Sequence, residues 1–503
     1  MSLSGCLEGL LEGALERLRI RLPHNLGLWR STSFSFATYE SDRQARTQRN
    51  TTFTTREPSM QRHVTVIGGG VIGLASAHAL VRAGHCVTLI DAHAEVASET
   101  SHANGGQLSY RYVAPLADSG VPRQAIKWLL AGNEAPLKLR PNLAPAQWRW
   151  MARFVAACNH RTHQTSAAQM LSLALHSQAI MSEWRTRDAL GDFAWQQRGK
   201  LVIHRDPIAL DKAAAARVAP QDQQVLDARQ CIALEPSLAH QQAHLSGAIF
   251  SASDETADCH AFCQALERKL QVSGRYTRLA NTRVAALSAR NGRIAQLELR
   301  HLDGRRECLA VEEVVIAAGN HAAELVRPLG IRLPLQPLKG YSLTLALTAD
   351  TPETAAPRIS VTDSARKVVY ADLESSASRQ LRVAAMVDIG QRERDSFHPE
   401  LDEQRIAALR KLASATFPAA GDFAQATPWS GLRPSTPKGP PILGRPRQAN
   451  SPDNLWLNVG HGSLGFTLAC ASGDLIARAI SREALPSSLS DSLPDTLAAR
   501  PGR

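Results

Sequence analysis

One glycine-rich turn constrains the fold of this chain more than any other feature. Residues 63–67 are short, apolar and rich in β-branched side chains, which predicts a buried strand. Gly68–Gly73 then reads G-G-G-V-I-G, followed by a helical pattern over residues 71–83. A second apolar run, residues 86–90, ends in Asp91. A G-x-G-x-x-G turn between strand and helix, with an acid after the next strand, predicts a dinucleotide-binding β-α-β unit.

Each glycine of this turn has a separate physical role. Gly68 allows the tight turn from strand to helix, and Gly70 lets the backbone approach a pyrophosphate because it has no Cβ. Gly73 lets the helix lie close to the sheet. The free N–H groups at the helix N-terminus favour phosphate, and Asp91 can accept hydrogen bonds from ribose hydroxyls. The motif by itself does not distinguish FAD from NAD.

Two later turns favour FAD. The apolar run at residues 314–317 ends in a small-small-Gly turn at Gly319, of the kind that two-dinucleotide-fold flavoproteins place beside the cofactor. Another predicted strand ends at Gly460, and Gly462 and Gly465 open the helix after it. The N-terminus of that helix can face the N1–C2=O edge of a flavin, where negative charge develops on reduction.

The rest of the chain alternates between helical and strand patterns. We predict an α/β protein with a doubly wound, Rossmann-like FAD-binding domain of the glutathione-reductase type. An α+β substrate domain with an antiparallel sheet interleaves with it. The predicted FAD-binding domain comprises residues 60–115, 240–335 and 430–485, the substrate domain comprises 116–239 and 336–429, and a Ser-, Pro- and Asp-rich tail at 486–503 is predicted to be disordered.

Residues 1–59 differ in composition from the rest of the chain and allow three interpretations. Their Arg- and Ser-rich stretches suit an organellar targeting segment, although Glu8, Glu12 and Glu16 argue against one. They also suit a disordered arm. We favour a third interpretation, in which translation starts at Met60, because the first predicted strand begins three residues later.

Composition narrows the class of protein. The formal net charge is +11, but Lys and Arg are dispersed, so we expect no nucleic-acid partner. A weak attraction to anionic lipid head groups stays open.

The 8 cysteines form no CxxC pair, and the spacing of His160 and His163 has no third ligand, so we predict no metal site. We also expect no spanning helix, because no uncharged apolar stretch is long enough.

Segments beyond the nucleotide unit follow a known family pattern at residues 99–107, 120–122, 125–128, 254–259, 337–344, 431–434 and 454–465. They resemble the D-amino-acid dehydrogenase family (its small, flavin-bearing subunit), within the wider D-amino-acid oxidase and glycine oxidase group. The chain departs from that pattern at His102 and Gly105, where alanines are expected, and at Lys438, where an acid is common. Those departures bear on substrate preference.

The resemblance implies FAD-dependent oxidative deamination of a D-amino acid to a 2-oxo acid and ammonia. Hydride would pass from the substrate Cα to flavin N5, and the electrons would go to a quinone or another respiratory acceptor. An enzyme of this kind is expected in the cytoplasm or peripherally on the cytoplasmic face of the bacterial inner membrane. Two alternatives stay open: a related flavoenzyme for D-hydroxyproline, sarcosine or glycine, and a non-catalytic flavin-binding module.

Four residues are the candidate catalytic set. Arg433 is the predicted clamp for the substrate carboxylate, because a guanidinium can bind both oxygens and related amine oxidases place such an arginine in this segment. Tyr341 is predicted to donate to the same carboxylate or to line the pocket, and Lys339 to lie near the flavin. His461 is predicted to lie in the turn that faces the flavin. Its predicted role is that of a general base or, as we favour, of a residue that positions the backbone of this turn.

The predicted cofactor contacts come from all three segments of the FAD-binding domain. They are Val66, Ile67, Gly68, Gly69, Gly70, Val71, Ile72, Gly73, Asp91, Val284, Gly319, Gly460, Gly462 and Gly465.

Overall fold

The computed structural model describes residues 61–122, 132–140, 142–390, 399–487 and 489. The predicted N-terminal extension and most of the predicted tail lie outside the described residues.

Strands and helices alternate through most of the described chain. The strands are β1 (His63–Ile67), β2 (Cys86–Ile90), β3 (Gln107–Leu108), β4 (Leu137–Leu139), β5 (Lys200–His204), β6 (Gln223–Asp227), β7 (Gly247–Ser251), β8 (Glu255–Thr256), β9 (Tyr276–Leu279), β10 (Thr282–Arg290), β11 (Arg293–His301), β12 (Arg306–Ala310), β13 (Glu313–Ile316), β14 (Gln336–Leu347), β15 (Ser360–Asp363), β16 (Val368–Glu374), β17 (Arg379–Ile389), β18 (Thr427–Ser435), β19 (Ile442–Gly444) and β20 (Leu455–Val459). The α-helices are α1 (Val71–Arg82), α2 (Pro145–Ala157), α3 (His160–Arg187), α4 (Pro207–Ala215), α5 (Ala228–Leu234), α6 (Cys259–Gln271), α7 (Ala322–Val326), α8 (Glu403–Thr416) and α9 (Gly465–Ser481). Short 3₁₀ helices span Gly132–Glu134, Pro236–His244, Gly319–His321, Arg327–Leu329, Glu353–Ala355, Pro418–Ala420 and Gly462–Leu464.

The first sheet is the predicted doubly wound one. Its strand order is β19-β20-β13-β1-β2-β9, and all neighbours are parallel except the edge pair β19–β20. Parallel strands end at a common edge, so the turns after β1, β2, β13 and β20 converge there. An antiparallel β10-β11-β12 meander accompanies this sheet. The predicted fold class is confirmed.

Helix α9 is the central core helix of this region. It crosses α1 so closely that a Cβ on Gly473 would lie 2.5 Å from the carbonyl oxygen of Ala75. Its 20-residue stretch with the preceding turn, Gly462–Ser481, is apolar enough by composition to cross a membrane, but most of it is buried inside the fold. Packing in the core therefore accounts for the apolar composition of this stretch.

The second sheet carries the substrate side of the molecule. Its order is β18-β14-β17-β16-β15-β5-β7-β6, with β4 beside β17, and its pairs are antiparallel except β15–β5 and β17–β4. Two of its strands correct the predicted domain bounds. β7 falls within the predicted FAD segment 240–335, yet it pairs with β5 and β6, and β18 extends to Ser435 beside β14. An apolar run predicts a strand but does not identify the sheet it joins.

Candidate active site

A cavity of about 340 Å³ opens at the edge where the parallel strands end. It is lined by the glycine turn, by Asp91 and by the turns at Gly319 and Gly460. Of the predicted cofactor contacts, only Val66 and Gly73 do not line it. Val66 is fully buried in β1, because adjacent residues of a strand point to opposite faces. Val66 therefore does not line this cavity, and the contact of Val66 and Gly73 with the cofactor stays a prediction.

The glycines of the turn are required by close backbone approaches. Gly68 has φ +112°, and a Cβ there would lie 2.6 Å from the carbonyl oxygen of Ala317 on the neighbouring strand's turn. A Cβ on Gly73 would lie 1.8 Å from the carbonyl oxygen of Gly68. Around Gly70 the nearest atom is the Ser101 hydroxyl at 3.4 Å, which leaves the backbone open to the cavity. This geometry suits a pyrophosphate at the N-terminus of α1.

Asp91 fixes the shape of this cavity. One carboxylate oxygen accepts from the backbone N–H of Gly69 at 2.5 Å, and the other accepts from the backbone N–H of His93 at 2.8 Å. Burial raises the pKa of Asp91, and these hydrogen bonds oppose that rise. Each oxygen keeps a lone pair, so the carboxylate can also accept from ribose hydroxyls, as predicted.

A cluster of two histidines and a glutamate lines the cavity, and no sequence pattern predicted it. His93 Nε2 lies 3.0 Å from the carboxylate of Glu99, and His321 Nε2 lies 3.8 Å from it. Burial would raise the pKa of Glu99, but His321 and His93 lower it to about 2. The pKa of His93 is raised in turn, chiefly by its hydrogen bond to Glu99. The cluster joins the loop after β2 to the turn after β13, a link that no local motif signals.

A second cavity of about 370 Å³ lies between the two sheets and adjoins the first. The cavities share Val71, Thr100, Ser101, Gly462 and Gly465 as lining residues. The first turn of α9 has no side-chain cap, so its N–H groups are available at this junction. The N–H of Val71 at the start of α1 donates to the Ser101 hydroxyl at 3.1 Å. Two adjoining cavities, each meeting a helix N-terminus, fit a cofactor with a phosphate-linked adenosine half and a ring that becomes anionic on reduction.

Arg433 projects into the second cavity from β18. Its Nη1 donates to the carbonyl oxygen of Met386 at 3.0 Å, and it forms no ion pair with any described carboxylate. Withdrawal from water lowers the pKa of Arg433 to about 10, with Asp388 opposing at longer range. A cation that is held in a cavity without a carboxylate partner suits an anionic ligand.

Two glycines that face each other across β14 and β18 make room for this arginine. Gly340 pairs directly with Gly431. A Cβ on Gly340 would lie 2.2 Å from Nη2 of Arg433, and a Cβ on Gly431 would lie 2.0 Å from the indole of Trp429. Glycine inside a strand often marks such a close approach. The guanidinium and the indole therefore lie where two missing side chains would stand.

Met386 completes the arginine's support. It has a left-handed φ of +66° within β17, at an irregularity in the pairing of β14 with β17. Such backbone is unfavourable for a residue with a Cβ, and it tends to occur at functional sites. Here it turns the Met386 carbonyl towards Arg433, which sets the orientation of the guanidinium.

Of the two roles predicted for Tyr341, the structure agrees with lining the pocket and not with donating to the substrate, and Lys339 lies away from both cavities. Tyr341 lines the second cavity, but its hydroxyl donates to buried Asp388 at 2.9 Å, and Asp388 also pairs with Arg405 at 2.7 Å. The hydroxyl proton is thus engaged by protein, and burial raises the Tyr341 pKa. Lys339 lines neither cavity, and its ammonium donates to the backbone carbonyl of Glu400. Lys339 is therefore a structural residue.

His461 lines the first cavity as a neutral positioning residue. Its Nε2 lies 2.8 Å from the hydroxyl of Ser472 on α9. Burial lowers the pKa of His461 to about 3. A general base would need a pKa nearer neutrality, so this geometry favours the positioning role over proton transfer.

No group of three or more metal-ligating side chains occurs within the described ranges. The sheet order, the turn geometry and the paired cavities are those of a doubly wound flavoprotein with a site for a small anionic ligand.

The chain belongs to the DAO family of FAD dependent oxidoreductases, whose family model matches residues 63–479. Its cofactor is FAD. It is 48% identical over 423 residues to D-amino acid dehydrogenase 2 of Pseudomonas aeruginosa, covering 84% of this chain and 96% of that relative. It is 40% identical to D-amino acid dehydrogenase 2 of Ralstonia nicotianae, covering 84% and 97%. Glycine oxidase of Geobacillus kaustophilus shares the fold, with a TM-score of 0.61, 21% identity, and 88% and 100% coverage.

Proposed function

We propose that this chain catalyses the FAD-dependent oxidative deamination of D-amino acids. The observation that carries the proposal is Arg433, a cation in the second cavity that no described carboxylate neutralises. The relatives named D-amino acid dehydrogenase support the choice of substrate hand. Substrate would be oxidised to an imine, and water would then convert the imine to a 2-oxo acid and ammonia.

The chain's own residues bind and orient the substrate. Two N–H donors of Arg433 hold the α-carboxylate, and the Met386 carbonyl keeps the guanidinium in position. No Asp or Glu is among the described residues that line this cavity, while Arg433 and Lys200 are cationic. This environment lowers the pKa of the substrate amine and favours its neutral form. Bound FAD supplies the hydride acceptor.

The experiment is anaerobic mixing of the purified yellow protein with D-alanine, L-alanine, sarcosine and D-hydroxyproline. We expect D-alanine to bleach the flavin absorbance and L-alanine to leave it unchanged. Bleaching by sarcosine or D-hydroxyproline alone would show that those compounds, and not D-alanine, are the substrates. Protein that stays colourless after incubation with FAD would refute every flavoenzyme interpretation.

We further propose that the electrons pass to a quinone and that the protein meets it at the cytoplasmic face of an anionic membrane. The outer face of α2 supports this idea. Trp148 and Val155 on this helix are 46% and 51% exposed, and Leu143, two residues before it, is 99% exposed. Arg149 and Arg153 are exposed beside them, and α2 contains no acid. An aromatic, apolar and basic face suits an interfacial helix.

Vesicle sedimentation tests the membrane proposal. We expect binding to vesicles with anionic lipid and weak binding to neutral vesicles. Leu143→Ser should reduce that binding, while Ile208→Ser, at a residue that is 76% exposed on α4, should not. Equal sedimentation of wild type and both variants, or no sedimentation at all, would contradict the proposal.

A further inference from the structure

The second cavity holds more positive charge than one substrate carboxylate requires. Three cationic side chains line it: Arg433, Lys200 and Lys367. No aspartate or glutamate is among its described lining residues. A cavity with cations and no lining acid concentrates negative charge, and the clamp at Arg433 accounts for only one anionic group.

Lys200 is the buried member of this set. It is 3% exposed, and its ammonium donates to the side-chain oxygen of Gln107 at 2.9 Å and to the hydroxyl of Ser109 at 2.5 Å. It forms no ion pair with a described carboxylate. The ring centroid of Tyr112 lies 4.7 Å from it. An ammonium has three donors, so one remains for a ligand.

Asp254, the acid whose charge acts on Lys200, is engaged by other groups through one oxygen only, and its second oxygen has no hydrogen-bond partner among the described residues. Asp254 raises the pKa of Lys200, but burial outweighs it and lowers that pKa to about 8. One Asp254 oxygen accepts from the backbone N–H groups of Tyr110 and Arg111, and Arg111 Nη1 lies 3.9 Å from it. Lys200 therefore stays largely protonated at neutral pH while its charge is only partly balanced.

The sheet spreads these cations across the cavity. Arg433 lies on β18, Lys367 directly precedes β16 three strands away, and Lys200 lies on β5 five strands away. Three and five strand spacings are about 14 Å and about 24 Å between backbones, so a ligand that joins Arg433 to Lys200 requires both side chains to extend towards each other. Long side chains reach in from both ends over a floor that includes Ala384 and Ala385. Lys367 is exposed at the mouth, whereas Lys200 is buried on β5 beyond it.

We propose that Lys200, assisted by Lys367, forms a second carboxylate-binding subsite and that the preferred substrates are D-amino acids with an acidic side chain, such as D-glutamate. The inference rests on the proposed function. In this arrangement Arg433 binds the α-carboxylate, and the Lys200 ammonium donates its remaining hydrogen bond to the side-chain carboxylate. The departures from the family pattern at His102 and Gly105 lie in the segment that leads to Gln107.

The test compares D-glutamate with its neutral isostere D-glutamine, using the FAD-loaded enzyme and an artificial electron-accepting dye. A hydrogen bond to a charged group contributes roughly 1.5–3 kcal/mol, so kcat/KM for D-glutamate should exceed that for D-glutamine at least about tenfold. Lys200→Gln should lower that ratio at least about tenfold. Lys200→Arg keeps the charge and should retain a preference for D-glutamate. Lys411→Gln removes a charge that is 72% exposed and serves as the control.

Each outcome decides the matter. A wild-type enzyme that oxidises D-alanine and D-glutamine but does not prefer D-glutamate would overturn the second subsite and leave the proposed function intact. An enzyme that oxidises none of the three would refute the proposed function itself. An unchanged ratio in a yellow Lys200→Gln variant would also overturn the subsite. Should that variant lack flavin, the wild-type ratio and Lys367→Gln, which should lower it, decide instead.

Discussion

A single methyl group on Gly340 should disable substrate binding without disturbing the cofactor. The Cβ of Gly340→Ala would lie 2.2, 2.3 and 2.4 Å from three guanidinium atoms of Arg433. Ordinary contacts are about 3.5 Å or longer, so the guanidinium must shift by more than about 1 Å. It would also lose its 3.0 Å hydrogen bond to Met386. Gly340 has no left-handed φ, so the backbone itself accepts alanine.

The expected effect is a fall of roughly 100-fold in kcat/KM, because misplacing a binding group by about 1 Å can reduce the rate that much. The assay is dye reduction with the preferred D-amino acid, with flavin absorbance to confirm that FAD is bound. Gly120→Ala is the matched control, since no atom lies within 4 Å of its added Cβ.

A double-mutant cycle sharpens the test. In an Arg433→Ala background, Gly340→Ala should cost little further activity, because the group it displaces is already absent. Additive losses, or a Gly340→Ala enzyme with kcat/KM within about threefold of wild type, would refute the assignment of Arg433 as the clamp that Gly340 accommodates.

Two further outcomes concern the cofactor side. Gly73→Ala places a Cβ 1.8 Å from the Gly68 carbonyl oxygen and should give a colourless protein that FAD does not reconstitute; retained yellow colour would contradict the packing role. His461 has a pKa of about 3, so the pH profile of kcat/KM should have no inflection from it, and His461→Gln should keep every inflection of wild type. In the unfolded chain His461 takes up a proton below its ordinary pKa of 6.5, whereas in the folded protein it stays neutral down to a pKa of about 3. Protonation therefore favours the unfolded state, and the Tm of wild type should fall as the pH falls from 6.5. The Tm of His461→Gln should fall less over the same pH range.

The nucleotide half of the site could be predicted because its signal is local. Gly68, Gly70 and Asp91 lie within one β-α-β unit, where spacing along the chain determines spacing in the fold. Arg433 was predicted from its own short segment. The structure places it at the second cavity, but the groups that hold its guanidinium there come from other strands.

The rest of the site depends on pairing between distant strands. The sequence does not show that Gly340 faces Gly431, that Met386 turns its carbonyl towards the arginine, or that Lys200 lines the same cavity. Tyr341 failed as a substrate donor because Asp388, on the neighbouring strand, engages its hydroxyl. Strand order decides such contacts, and no local pattern encodes it.

The position of α9 limits how this protein can vary. Its first turn forms the junction of the two cavities, while the rest of the same helix is the packed centre of the parallel-sheet region. A substitution that loosens the helix far from the ligands would tilt its N-terminus at the flavin site. Substitutions in this part of the core are therefore selected for activity as well as for folding. Stabilising substitutions are better sought in another helix.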